Sequence, residues 1–338
     1  MLIYDLVDPQ ELIGFARALE FDQFQLNQFL PDNNIQDIEY RFRRGNLTDQ
    51  DAASYRSWDT EASIAARQGA QRVSGELAPI SRKIRLGEEE RLRLNALQSG
   101  NDDPIVDAIY SDAANMTRAV RARAELARGQ ALSTGKVTID ENGFVGEVDF
   151  GVPAGHFVTA GTLFSDPAAD VVTMMQAWME TYDTSTDGLV PGVGLTSRKV
   201  LNNLLRNTSF RNLAATIAGA PQLITLQTVQ SVLAAFGLPP LAPYDTRVRV
   251  EGTTTRVTPE DSIIFLPPSG ENLGETLWGV TAESLEMAGE GYIQTQEASG
   301  LIVAVEKTTD PVGTWTLASG ISLPVIGNPD GLMVATVL

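Results

Sequence analysis

Apolar positions change their spacing along the chain, and the clearest change marks a long helix. Asp103 can cap this helix, and Pro104 suits its first position. Either Gly129 or Gly135 can end it. About 27 residues at 1.5 Å each predict a rod on the order of 40 Å long. The residues that recur at helical spacing are Ile105, Ile109, Met116, Val120, Ala124 and Ala127.

Other stretches predict shorter elements. Alternation on either side of Asn142-Gly143 predicts a β-hairpin over 136–151. An apolar stripe predicts a helix that faces the core rather than a cofactor; it consists of Val171, Met174, Met175, Trp178 and Met179. Further helices are expected near 8–19, 197–206, 209–218 and 226–236. A hairpin and a buried strand follow over 247–268, then short strands over 291–338. The predicted class is α+β.

Two N-terminal segments carry apolar residues that they cannot bury alone. FDQFQLNQFLPDNN contains Phe21, Phe24 and Phe29, which need a surface to dock on, either a neighbouring copy or the chain's own core. Residues 51–87 scatter apolar positions among polar ones and glycines. This pattern predicts a long two-stranded arm with no partner in its own chain.

Charge is strongly negative and uneven. The net charge is −18, with 16 basic and 21 acidic residues in 1–135 but 9 and 22 in 136–338. The predicted arm departs from this trend, because 67–85 holds five basic residues and one acid, Glu76. The five are Arg67, Arg72, Arg82, Lys83 and Arg85. The overall acidity argues against a surface that grips nucleic acid. No signal peptide or membrane span is expected, so the protein is predicted to be soluble.

Residues suited to catalysis are scarce. The chain has no cysteine, and His156 is its only histidine, without a nucleophile-elbow motif nearby. GVGLTS over 192–197 lacks the lysine of a phosphate loop and predicts a helix-capping turn. DTSTDG, which contains Asp183 and Asp187, resembles the start of a calcium loop, but Gly194 stands where the glutamate belongs. A surface turn is expected there. No enzyme activity, cofactor or metal is predicted.

Four segments resemble the major head protein family of lambda-like tailed phages, which has the Hong Kong 97-type capsid fold. They are RAELARGQALSTGKVTIDENGFVGEVDFG, LFSDPAADVVTMMQAWME, RVTPEDSIIFLPP and TTDPVGTWTLASGISLPVIGNPDGLMVATVL. The order of elements matches that family over essentially the whole chain. The resemblance implies a major capsid protein of a tailed double-stranded DNA bacteriophage, assembling through hexamers and pentamers into an icosahedral head.

The resemblance also implies a division of the chain. The expected parts are an N-terminal arm (1–50), an extended E-loop (51–87), a peripheral domain with the spine helix (88–182), an axial domain (183–300) and return strands of the peripheral domain (301–338). The E-loop would then lie on an acidic neighbouring copy, and opposite charge would register the contact. The residues expected between copies are the five basic ones named above together with Phe21, Phe24 and Phe29.

Partners follow from the same resemblance. Besides its own copies, the chain is expected to meet a scaffolding protein, a portal and a decoration or cement protein. DNA would lie against the inner face without specific binding, and no membrane partner is expected. The protein would reside in the virion, and in the host cytoplasm during assembly. Some shells of this fold are cross-linked through an E-loop lysine; here only Lys83 lies in that segment, and no cross-link is expected.

Two alternatives remain at the level of sequence. An encapsulin-like compartment shell would share the fold and enclose a cargo protein instead of a genome. A metal-dependent hydrolase would use Asp183, Asp187 and His156, and would carry bound metal when purified.

Overall fold

The computed structural model describes residues 7–44, 71–97, 103–186, 188–218, 224–268 and 273–338. Across these ranges the chain forms eight α-helices and sixteen strands. The helices are α1 (Pro9–Ala18), α2 (Glu88–Leu97), α3 (Asp103–Thr134), α4 (Val171–Ser185), α5 (Arg198–Arg206), α6 (Thr208–Ala218), α7 (Leu226–Ala235) and α8 (Ala282–Gly289). The strands are β1 (Asp32–Asn34), β2 (Glu39–Arg44), β3 (Gln71–Glu76), β4 (Ala78–Leu86), β5 (Lys136–Glu141), β6 (Phe144–Asp149), β7 (Phe157–Thr159), β8 (Val193–Thr196), β9 (Leu241–Pro243), β10 (Arg247–Val250), β11 (Thr253–Arg256), β12 (Ser262–Leu266), β13 (Gly274–Trp278), β14 (Ile302–Thr309), β15 (Val312–Ile326) and β16 (Met333–Thr336).

Two five-stranded sheets organise the molecule. The first has the order β1-β13-β15-β14, with β4 also paired to β15, and the second has the order β7-β16-β12-β8-β9. Three separate ribbons are formed by β2–β3, β5–β6 and β10–β11. Helices and mixed sheets together confirm the predicted α+β class.

The first sheet is built around β15. One side of this strand pairs with β14 and then with β13, and its other side pairs with β4. Strand β1 joins β13 in parallel and brings the N-terminal segment into the sheet. The predicted short strands over 291–338 therefore include one strand of 15 residues.

The second sheet gathers distant parts of the chain. Its central strand β12 is buried at every residue and pairs with β16 on one side and β8 on the other. One face of the sheet packs against α4, α5 and α7 through Val172, Leu204 and Val232. Strand β16 lies inside this sheet, between β7 and β12, so the chain's last strand is apart from β14 and β15.

Helix α3 is longer than predicted. It spans 32 residues and stops at Gly135, whose φ of +67° is a left-handed conformation that glycine adopts without strain. Gly129, the other predicted stop, lies inside the helix. A Cβ there would stand 2.1 Å from the Val257 carbonyl oxygen, so this glycine permits close approach of the backbone beyond β11.

The predicted arm falls into two parts. Strands β2 and β3 pair from Glu39↔Glu76 to Arg44↔Gln71 and form a ribbon. Strand β4, however, pairs with β15 over nine residues. The expectation that 67–85 has no partner in its own chain is therefore wrong for β4. Ile80 and Ile84 pack against the core beside α3, and the intervening Arg82 concealed this alternation in the sequence.

Candidate assembly surfaces

The N-terminal segment is fastened to α3 by a buried cluster of charges. Both carboxylate oxygens of Glu125 accept hydrogen bonds: the Leu26 amide (2.9 Å) and Tyr244 hydroxyl (2.6 Å) donate to one, the Arg128 guanidinium (3.1 Å) to the other. The exposed side-chain fractions of Arg128 and Glu125 are 2% and 0%. Arg128 also donates to Thr276 (2.8 Å) on β13. The cluster thus joins α3, β13 and the chain before β1.

Asp32 supplies the second carboxylate of this cluster. It forms ion pairs with Arg121 and Arg128 and accepts a hydrogen bond from the Trp278 indole nitrogen at 2.7 Å. Burial raises the pKa of Tyr244, and the charge of Glu125 and its hydrogen bond raise it further. Arginines in a helix usually lie on a solvated face. Arg128 does not, because its partners come from sequence positions that helical periodicity does not connect.

The N-terminal phenylalanines contact other parts of their own chain. Leu26 and Leu30 are fully buried, and Phe24 and Phe29 pack half-buried against the same core. The centres of the Phe21 and Phe24 rings are 5.8 Å apart. The Arg118 guanidinium carbon lies 5.6 Å from the centre of the Phe21 ring. Of the two docking surfaces expected for these phenylalanines, the chain's own core is the one that Phe24 and Phe29 contact.

Side chains alternate along β4, so Lys83 and Arg85 lie on the face opposite Ile80 and Ile84, whereas Arg82 lies on the same face as the two isoleucines. Arg82, Lys83 and Arg85 are all exposed. The Lys83 ammonium lies 4.7 Å, and the Arg85 guanidinium carbon 5.8 Å, from the centre of the Trp315 ring on β15. These distances are typical of cation–π contacts. We call Lys83, Arg85 and Trp315 the basic face; Arg82 instead contributes to the lining of the groove beside α3. Of the other predicted residues, Arg72 lies in β3 opposite Arg43, and Arg67 lies outside the described residues.

A groove runs beside the basic face. Its volume is about 520 Å³, and it lies between β4, α3, the β5–β6 ribbon and the β10–β11 ribbon. Ile80, Leu126 and Phe144 contribute apolar lining, and Arg123 pairs with Glu141 at 3.0 Å on its rim. At the ribbon, 75% of Val145 is exposed.

The residues of the metal alternative do not form a site. Asp183 lies within α4, so the predicted turn is helical where its first ligand would stand. His156 is buried, with Nδ1 2.8 Å from the Leu332 carbonyl oxygen and Nε2 2.8 Å from Ser185 Oγ. Both ring nitrogens are engaged by the protein. Asp187 lies outside the described residues. Within the described ranges, no three potential ligand side chains cluster around a common point.

Two further predictions concern helix ends and membranes. Ser197 accepts a hydrogen bond from the Val200 amide (3.2 Å) and caps α5, which confirms a capping role for GVGLTS, although Val193–Thr196 is strand β8. In the described part of the chain, no helix has the length and hydropathy needed to cross a bilayer.

Comparison with known proteins adds a family and a fold. A family model described as phage major capsid protein E matches residues 30–337. No curated protein matches the sequence. Among solved structures, a prophage protein of Escherichia coli CFT073 assigned as a capsid protein has a TM-score of 0.65 at 14% identity, covering 98% of this chain and 99% of that one. A phage-related protein from Bordetella bronchiseptica RB50 has a TM-score of 0.59 at 12% identity, covering 98% and 97%. At these identities, the likeness establishes a shared fold.

Proposed function

The chain belongs to the family of phage major capsid protein E, and from that premise we propose that its copies form hexamers and pentamers of an icosahedral head around double-stranded DNA. It is a phage major capsid protein with the Hong Kong 97-type fold, as its resemblance to the lambda-like head proteins implied. The single observation that carries the proposal is the family match, which spans nearly the whole chain. The same match favours a phage head over an encapsulin-like compartment.

The role we assign is structural. Membership of a capsid protein family supports a structural role. We further propose that the chain has no enzymatic activity. The burial of His156, which is 2% exposed, supports this further proposal, because a general base must reach the substrate proton that it takes.

Two bodies correspond to the domains of the capsid subunit. We assign the first sheet with α1, α2, α3 and α8 to the peripheral domain, and the second sheet with α4 to α7 to the axial domain. Within the described residues, we assign the β2–β3 ribbon to the E-loop. Two hydrophobic clusters support this division, because Val303 packs with α3 whereas Met333 packs with α4. A third cluster joins the two sheets, with Leu323 of the first and Ile264 of the second in one core. Strand β16 then belongs to the axial domain.

The basic face is the proposed contact of the peripheral domain with a neighbouring copy. Its charges lie on a chain with 43 acidic and 25 basic residues, so most of the charged groups that a neighbour can offer to this face are acidic. Opposite charge steers such docking and fixes its register more than it adds affinity. Scaffolding, portal and decoration proteins are further proposed partners in the host cytoplasm, and the finished protein resides in the virion.

The DNA inside the head is proposed to touch an acidic lining without binding it. Tight binding requires cationic groups that displace counterions from phosphates, and residues 136–338 hold only 9 of them against 22 acids. The purified subunit is accordingly expected not to shift duplex DNA at physiological salt.

Particles from phage-producing cells provide the test. They should contain this chain as the main protein and duplex DNA that resists added nuclease. A particle of this chain that enclosed a cargo protein and no DNA would contradict the proposal and favour the compartment.

A further inference from the structure

Charge is sharply segregated along the axial domain. Residues 151–197 contain five acidic residues and no lysine or arginine. Residues 198–244 then contain four basic residues and no acidic residue. The four are Arg198, Lys199, Arg206 and Arg211. In a chain of net charge −18, a run of 47 residues (198 to 244) without one acid gives the axial domain a basic side of its own.

The two charge groups occupy different ends of the helical layer on the second sheet. Helix α4 lies at the β7–β16 end, where Tyr182 donates to the Gly331 carbonyl oxygen (3.0 Å) just before β16. Helix α7 lies at the other edge, where Gln230 bonds the backbone of Leu241 in β9 at 2.6 Å and 3.2 Å. Helices α5 and α6 pack beside α7. The acidic helix and the basic helices therefore present separate flanks.

On each flank, part of the charge is unpaired. Arg198 and Lys199 lie 3.6 Å and 3.5 Å from Asp245 and Glu260 of their own chain. Arg206 and Arg211 are exposed and form no ion pair with any described residue. We call these two the basic flank.

The acidic flank consists of Glu180 and Asp183. Both are exposed on the outer side of α4, and neither side chain bonds to a residue within the described ranges. Asp166 and Asp170 are excluded from it, because their carboxylates accept from Ala168 and Thr173 in local turns.

The flanks cannot satisfy each other within one chain. The turn between α5 and α6 touches the chain before α4, where Asn207 donates to the Ala169 carbonyl oxygen at 2.9 Å. From there, Glu180 and Asp183 lie roughly 15 Å farther along the helix axis, at 1.5 Å per residue. This exceeds the screening length of about 8 Å at physiological salt.

We infer that the basic flank of one copy docks against the acidic flank of the next, head to tail, in the ring of axial domains. The inference rests on the proposed function and names the partner of that assembly as a second copy. Like flanks repel, so a contact between identical surfaces is disfavoured. Two different surfaces on one subunit give a heterologous contact, which closes into a ring when its rotation permits.

Charge reversal in two separate chains tests the inference. R206E/R211E makes both flanks acidic, and E180R/D183R makes both basic. Each variant alone should lose at least about tenfold of the assembled material seen by sedimentation velocity, since like charges face each other at every contact. R206K/R211K, which keeps the charge, should assemble as the unmodified chain does.

The decisive arm is an equimolar mixture of the two reversed chains. Alternating copies restore every contact in a ring with an even number of members, so the mixture should form hexameric rings or open sheets, visible by electron microscopy. Recovery also shows that both variants are folded. Normal assembly by either variant alone would overturn the proposed contact and leave the proposed function intact. Loss of assembly in both variants, without recovery when they are mixed, would also overturn the contact alone. Failure of the unmodified chain to assemble would overturn both.

Discussion

At the scale of single residues, the side chains that hold the molecule together are those whose partners lie far apart in sequence. Periodicity correctly placed Val120 and Ala124 on the buried face of α3, because neighbours on one helix face share one environment. It could not place Arg128 or Glu125, since their partners come from β13 and from the segment before β1. A charged residue is read as solvated until its counter-charge is located.

Replacing Glu125 with alanine should cost about 3–5 kcal/mol of unfolding free energy, because it leaves the buried Arg128 guanidinium without one of its partners. Guanidinium denaturation at a concentration where the chain is unassembled measures this. Glu141→Ala removes the partially exposed partner of Arg123 and should cost less than about 1 kcal/mol. Equal losses in the two variants would contradict the assigned importance of burial.

A pair of glycines in helices makes the second prediction. Gly129→Ala should destabilise the chain, since the added Cβ would meet the Val257 backbone. Gly14→Ala, in α1, places its Cβ in open space and should stabilise the chain by roughly 0.5–1 kcal/mol. Thermal melting of the two variants should therefore shift in opposite directions. A neutral Gly129→Ala would show that α3 and the chain after β11 can separate.

Asp112 gives a prediction that depends on pH. Burial raises the pKa of its carboxyl, and the nearby charge of Glu90 raises it further. The ionised carboxylate therefore destabilises the folded state. This penalty is absent below the pKa of the unfolded state, grows as pH rises above it, and is complete above the raised pKa of the folded state. Asp112→Asn should raise the melting midpoint at pH 7, with the difference shrinking toward pH 4. A difference independent of pH would contradict this assignment.

At the scale of elements, segments with an uninterrupted pattern were predicted well and interrupted ones were not. The hairpin at Asn142-Gly143 and helix α4 are confirmed because each has a clear period and a turn or apolar stripe to fix it. Strand β4 was missed as part of a sheet, because its partner β15 lies more than 200 residues away. Helix α2 was also missed, since it begins with charged residues and its first leucines, Leu92 and Leu94, alternate rather than recur at helical spacing.

Replacing Arg82, Lys83 and Arg85 together with glutamate should yield a folded chain that cannot form closed particles. The strand stays in place because backbone pairing with β15 and the packing of Ile80 and Ile84 are unchanged. Far-UV circular dichroism checks the fold, and electron microscopy checks assembly. Normal particles from the triple variant would remove the basic face from the account.

At the scale of the whole molecule, the order of elements indicated the family, whereas the division into bodies came only from the sheets. Strand β16 illustrates the difference: it follows β15 closely in sequence but lies in the second sheet, between β7 and β12. No local pattern specifies such a return, because it depends on pairing with β12 and β7.

The mature shell should carry no covalent cross-links between subunits. The chain has four lysines, Lys83, Lys136, Lys199 and Lys307, and Lys83 is held over the Trp315 ring of its own chain. Denaturing gels of mature particles should show this protein as a single band at the mass of one chain. A ladder of multiples would refute the prediction.

Sedimentation velocity of the expressed chain, alone and together with its scaffolding protein, tests most directly whether copies of this subunit build a shell. We expect particles of many subunits in at least one condition, with closed shells on electron microscopy grids of the same fractions. A single species at the mass of one chain in both conditions, at every concentration, would contradict the account.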